Sequence, residues 1–99
     1  MKNNKIQLPK FLKNRYNVWK ATSYLQNEKN IKKLAKLGQK PKAMIISCCD
    51  SRVNVSSIFG AEEGDFFIHR NIANIIPPYG STKTDHSTFA AIEYAIKEL

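Results

Sequence analysis

The residues Ala43-Met44-Ile45-Ile46 form a short apolar run with β-branched character, set between Pro41 and the polar stretch Ser47-Cys48-Cys49-Asp50-Ser51-Arg52-Val53. A run of this length and composition reads as a buried strand. It constrains the fold because the segments around it carry helical patterns, which makes the chain α/β rather than all-α or all-β. Side chains of an extended chain alternate with period two. Cys48, Asp50 and Arg52 are therefore expected on one side of the strand's end, with Cys49 and Ser51 on the other. The carboxyl end of a strand in an open α/β sheet is also where ligands usually bind.

The chemistry of these residues points to a metal or anion site. As a thiolate, Cys48 is a good zinc ligand, and zinc lowers the pKa of a bound water to about 7. Arg52 can hold the Asp50 carboxylate through paired, charge-assisted hydrogen bonds, keeping it ionised and aimed. Asp50 could then contact the metal or accept a hydrogen bond from its water. Spacing alone leaves other readings open. Cys48 reads equally as a buried core thiol, Cys49 reads as core, and an isolated Asp-x-Arg is usually a surface ion pair. A cysteine-dependent phosphate loop is excluded, because about five residues must separate its cysteine and arginine to curl backbone N–H groups around the anion. Three residues lie between Cys48 and Arg52, and there is no glycine-rich phosphate loop.

Around this centre the chain divides at Lys42. Leu8-Pro9 opens a helical pattern in which Phe11, Leu12, Tyr16 and Trp19, with Tyr24 beyond, make a ragged apolar stripe. Residues from Glu28 to Leu37 read as a second helix, with Ile31, Leu34 and Leu37 on one face, Gly38 as its cap and Pro41 as a stop. A loop and helical turn are expected from Val53 to Gly60, and Glu62-Glu63-Gly64-Asp65 is a turn signal. Phe66-Phe67-Ile68 reads as a second short strand. Gly80 to Lys83 reads as a loop, and Thr84 or Asp85 as the cap of a last helix. Phe89, Ile92, Ala95, Ile96 and Leu99 recur there at helical spacing, which predicts a buried face with Tyr94 on a different side. Of the two histidines, His69 and His86 both read as structural.

Ninety-nine residues allow one domain at most, and an apolar share of 42% is ordinary for a globular chain. The adjacent pair Cys48-Cys49 is no disulfide framework, so a reducing compartment fits. No secretory pattern opens the chain and no apolar run is long enough to span a membrane, so a cytoplasmic protein is expected. The net charge of +8 is uneven: twelve Lys and Arg stand against one acid, Glu28, before Ala43, and four against seven from there on. A basic half of this kind can bind nucleic acid or an anionic surface. A solvated helix face accounts for it more simply, so neither partner is expected.

Four separated stretches, CCDSRV, GDFFIHRNIAN, IIPPY and FAAIEYAIKEL, resemble in order and spacing the amino-terminal half of a β-class carbonic anhydrase. The resemblance runs from about Leu8 to Leu99. It implies an α/β fold: a basic amino-terminal helical arm over residues 1–42, then residues 43–99 as the first strands and crossover helix of a mainly parallel sheet. It further implies zinc-dependent, reversible hydration of carbon dioxide to bicarbonate, in a homodimer or higher even oligomer whose arm reaches over a neighbour. Carried over position by position, Cys48 is the first zinc ligand and Asp50-Arg52 the catalytic dyad, with Asp50 also a ligand in a resting form. Gln39, in Gln-x-Pro, is the residue whose amide binds the carbon dioxide or bicarbonate oxygen. Phe67, Ile72 and Tyr94 are pocket walls, Phe67 usually supplied from the partner subunit. The polar residues of Arg70-Asn71-Ile72-Ala73-Asn74 hold backbone near the dimer contact.

The family's other two zinc ligands come from a His-x-x-Cys, and neither His69 nor His86 is followed by cysteine three residues later. The expectation is an amino-terminal portion, inactive on its own. The alternative expectation is an inactive truncated product that binds only subunits or, through its basic helices, nucleic acid. A crossover helix without its second strand would also leave an apolar helix face and a sheet edge uncovered.

Overall fold

The computed structural model describes residues 7–80 and 86–99. Two strands, β1 (Ala43–Cys48) and β2 (Phe66–Asn71), pair in parallel, with Ala43 opposite Phe66 and Cys48 opposite Asn71. Both run further than their apolar stretches. Backbone pairing does not need apolar side chains, so the ladder carries Ser47-Cys48 and His69-Arg70-Asn71 along with it. It is extended at each end by Lys42 N–H donating to the Asp65 carbonyl and Cys49 N–H donating to the Asn71 carbonyl, each at 2.8 Å. A parallel pair requires a crossover. Here it contains the one-turn helix α3 (Val55–Ile58), whose first turn is capped by the Asn54 side chain accepting from Ser57 N–H at 3.3 Å.

The parallel register puts Met44, Ile46 and Cys48 on the same sheet face as Phe67, His69 and Asn71. The last helix, α3's successor α4 (His86–Glu98), packs on that face. Its fully buried residue is Thr88, whose hydroxyl meets His69 Nε2 at 2.9 Å and accepts from Asn71 Nδ2 at 3.2 Å. This is the structural role expected of His69. The buried apolar face expected for the helix is only partly formed: Phe89, Ile92 and Ala95 are half-buried, while Ile96 is 77% exposed and Leu99 37%. Two strands are too narrow to cover it. The expected cap at Thr84 or Asp85 and the loop to Lys83 fall largely outside the described residues.

Two helices precede the sheet, α1 (Lys10–Ala21) and α2 (Ser23–Leu37). The second begins five residues earlier than its apolar spacing suggests, because the chain bends only at Thr22 and then resumes helix. Tyr24 therefore belongs to α2 and packs back on Trp19 with the rings tilted and 5.3 Å apart, while Trp19 stacks on Tyr16 at 6.0 Å. Gly38 ends α2 as expected, at φ +83° with its N–H on the Leu34 carbonyl. Where α2 meets the 62–65 turn, Asn30 Nδ2 donates to the Glu63 carbonyl at 3.2 Å and Leu34 lies against Gly64.

Among the described residues Pro77 is the one buried apolar residue, and Ser47 and Thr88 are the buried polar ones. The Cα radius of gyration is 17.4 Å, against about 13 Å for a compact hundred-residue domain. No helix among the described residues is long and apolar enough to cross a membrane.

Candidate functional site

The strand β1 stops at Cys48, so side-chain alternation does not continue to Arg52 as the sequence suggests. Asp50, Ser51 and Arg52 form a turn, closed by Val53 N–H donating to the Asp50 carbonyl at 3.0 Å. The turn nevertheless gathers the three residues, by local hydrogen bonds rather than by strand geometry. Asp50 N–H points at Cys48 Sγ at 3.4 Å. Asp50 Oδ1 accepts from Arg52 N–H at 2.8 Å and from Arg52 Nε at 3.0 Å, and Oδ2 accepts from Arg52 Nη2 at 2.7 Å. This is a bidentate guanidinium–carboxylate pair with an added backbone donor.

The Arg52 side chain is 87% exposed, so the pair adds little stability. Its consequence is protonation and aim. The Arg52 side-chain hydrogen bonds, followed by its backbone N–H, hold the Asp50 carboxyl below the ordinary carboxylate range; partial desolvation opposes them and the Arg70 charge adds to them. A carboxylate offers about four lone-pair positions. Oδ1 takes two donors and Oδ2 one, so Oδ2 keeps an open acceptor site. Cys48 is half-buried and Cys49 exposed. Of the two, the sulfur that faces a backbone N–H donor is that of Cys48.

The turn is tied down by Arg70, one residue before the strand partner of Cys48. Its Nε donates to the Cys48 carbonyl at 2.9 Å, and its Nη2 donates to the Asp50 and Val53 carbonyls at 2.8 and 2.6 Å. Sequence reasoning gave Arg70 only a share in holding backbone near a dimer contact. The parallel register, which side-chain pattern does not reveal, sets Arg70 opposite Ser47 and beside the turn. Asn71 is the second such residue. Its Oδ1 accepts from Ile75 N–H and its Nδ2 donates to the Ile75 carbonyl, at 2.9 and 2.8 Å. These two bonds staple the 3-10 turn Ile72–Asn74, in which Ala73 and Asn74 take positive φ of 58° and 48°.

The other expected site residues are more scattered. Phe67 and Tyr94 come together, their rings 5.8 Å apart. Ile72 stands on the 3-10 turn and is 74% exposed. Gln39 is exposed in the connection before β1, at the opposite end of a strand on the order of 20 Å long from Cys48.

As a donor set for zinc, the turn supplies a thiol and a carboxylate held by charge-assisted bonds, both suited to the ion. Among the described residues no group of three or more His, Cys, Asp and Glu could hold a metal ion. The residues present fit one or two positions of a zinc site and leave the others to be supplied.

Residues 43–99 match the family model described as carbonic anhydrase. The chain is 41% identical over 88 residues to beta carbonic anhydrase 5, chloroplastic, of Arabidopsis thaliana, covering 89% of this chain and 28% of that protein. It is 41% identical over 80 residues to a carbonic anhydrase of Helicobacter pylori, covering 77% of this chain and 36% of that protein. Among solved structures, the β-carbonic anhydrase CcaA superposes with a TM-score of 0.80 at 35% identity, over 87% of this chain and 37% of the other. The chain therefore spans about a third of the length of the curated relatives it matches.

Proposed function

Since the chain belongs to the β-class carbonic anhydrase family, we propose that the protein it forms catalyses the reversible hydration of carbon dioxide to bicarbonate with a zinc ion. The observation that carries this reading is the turn after β1, where the Asp50 N–H meets the Cys48 sulfur and the ionised Asp50 carboxylate is doubly held by the Arg52 guanidinium. Cys48 would hold the zinc, joined by Asp50 in a resting form and otherwise by ligands beyond the described donor set. Zinc, when bound, supplies the Lewis acidity that makes water a nucleophile near neutral pH.

The chain's own residues do the rest. Arg52 keeps Asp50 unprotonated, so its open Oδ2 position can accept a hydrogen bond from the attacking oxygen and fix its orientation. Phe67, Ile72 and Tyr94 supply apolar wall that excludes bulk water and suits a nonpolar substrate. The Gln39 amide would orient a substrate oxygen. In one copy Gln39 sits far from the turn, so the reading includes a second copy whose surface completes the pocket, in a homodimer or higher even oligomer. A related solved structure from Sordaria macrospora, 41% identical with a TM-score of 0.74, is described as a tetramer.

The test uses the product of the whole reading frame that encodes these residues, loaded with zinc and followed by stopped-flow hydration of carbon dioxide. The wild type should hydrate well above background, and Asp50→Asn, which keeps the shape but loses the charge, should slow it by about a hundredfold. A zinc-loaded wild type with no hydration, or an Asp50→Asn variant with full activity, would refute the reading.

A further inference from the structure

Three backbone carbonyls of the Cys48–Val53 turn converge on one side chain, the guanidinium of Arg70. Asp50 and Val53 lie past the end of β1, where no neighbouring strand offers N–H groups to their carbonyls. The Arg70 fork takes them instead. None of the four ion pairs found among the described residues includes Arg70, so its charge is directed at carbonyl dipoles rather than at a carboxylate. Arg70 is itself fixed from behind, since its backbone belongs to β2 and the next residue is paired with Cys48.

We propose that Arg70 is a positioning residue: its planar guanidinium draws the carbonyls of Cys48, Asp50 and Val53 onto one point and so locks the turn that presents the Cys48 sulfur and the Asp50 carboxylate. The consequence for metal affinity rests on the zinc reading above; the locking of the turn does not. Geometry makes the residue type specific. Two different nitrogens, Nε and Nη2, reach acceptors spread over six residues of chain, and a lysine has a single nitrogen at the end of a flexible stem. Arg70→Lys keeps the charge and should lose the lock, as Arg70→Gln does.

The experiment measures amide hydrogen exchange in the zinc-free product of the whole reading frame, for wild type, Arg70→Lys and Arg70→Gln. Both variants should lose protection at the Asp50, Arg52 and Val53 amides by roughly tenfold or more, with the β1 amides from Met44 to Ile46 unchanged. Zinc affinity, read by competition with a chelator, should fall about 10- to 100-fold in both, the range typical when a residue that orients a metal ligand is lost. Wild-type protection of the turn in Arg70→Gln would overturn the proposal, and so would Arg70→Lys behaving as wild type. Equal loss of protection in the turn and in β1, in both variants, would make Arg70 a residue of the whole fold and also overturn it. If the wild type binds no zinc, the zinc reading fails by itself and the exchange pattern still decides the role of Arg70.

Discussion

Asp50 is held by three donors that all belong to the residue two positions on. That makes its protonation a local property, readable before any metal binds. Its folded pKa is lowered, so the folded chain binds fewer protons here than the unfolded one. The resulting contribution to stability is fully present above the unfolded value, about 3.9. It is lost as pH falls through the lower folded value. In the zinc-free protein the Asp50 carboxyl carbon, followed by NMR, should therefore titrate below the ordinary aspartate range. Arg52→Gln should bring it back up toward that range, because the largest cause of the shift is removed. An unchanged titration in Arg52→Gln would mean that something other than this pair keeps Asp50 ionised.

At the scale of elements, α4 is joined to β2 through the buried hydroxyl of Thr88. Thr88→Val keeps the shape but leaves His69 and Asn71 facing a methyl group. It should destabilise the protein by about 1–3 kcal/mol in urea unfolding, and no change would mean that the helix docks by other contacts. Gly64, at φ +91° with Leu34 beside it, joins α2 to the start of β2. Gly64→Ala should cost about 1–3 kcal/mol, chiefly from the left-handed backbone, because the end of the Leu34 side chain can move aside. A thermal melt at the wild-type temperature would contradict this. The sequence made the two strands, the Gly38 cap and the Cys48–Asp50–Arg52 grouping legible, since each rests on local composition or spacing. It made the strand ends and the start of α2 less so: Cys48 and Asn71 are strand through backbone pairing, and residues 23–27 are helix because the chain resumes helix directly after Thr22. Arg70 was out of reach for a related reason. Its partners are carbonyls 17 to 22 residues away, and carbonyls leave no trace in side-chain pattern.

Over the whole molecule, the described residues bury no large apolar side chain, while Phe11, Trp19, Phe59 and Ile96 are among many left exposed. A two-stranded parallel sheet is stable only when both faces are covered. The 99 residues expressed alone should therefore self-associate and bind a hydrophobic dye, as analytical ultracentrifugation and dye fluorescence would detect; a monodisperse monomer with a sharp melt would contradict that. On the proposed reading the turn after β1 is one wall of a zinc site, with Cys48 rather than Cys49 as the ligand. The direct measurement is zinc content by atomic absorption in the product of the whole reading frame, for wild type, Cys48→Ser and Cys49→Ser. That reading requires one zinc ion per chain in wild type and in Cys49→Ser, and its loss in Cys48→Ser. Full zinc in Cys48→Ser, or loss confined to Cys49→Ser, would contradict it.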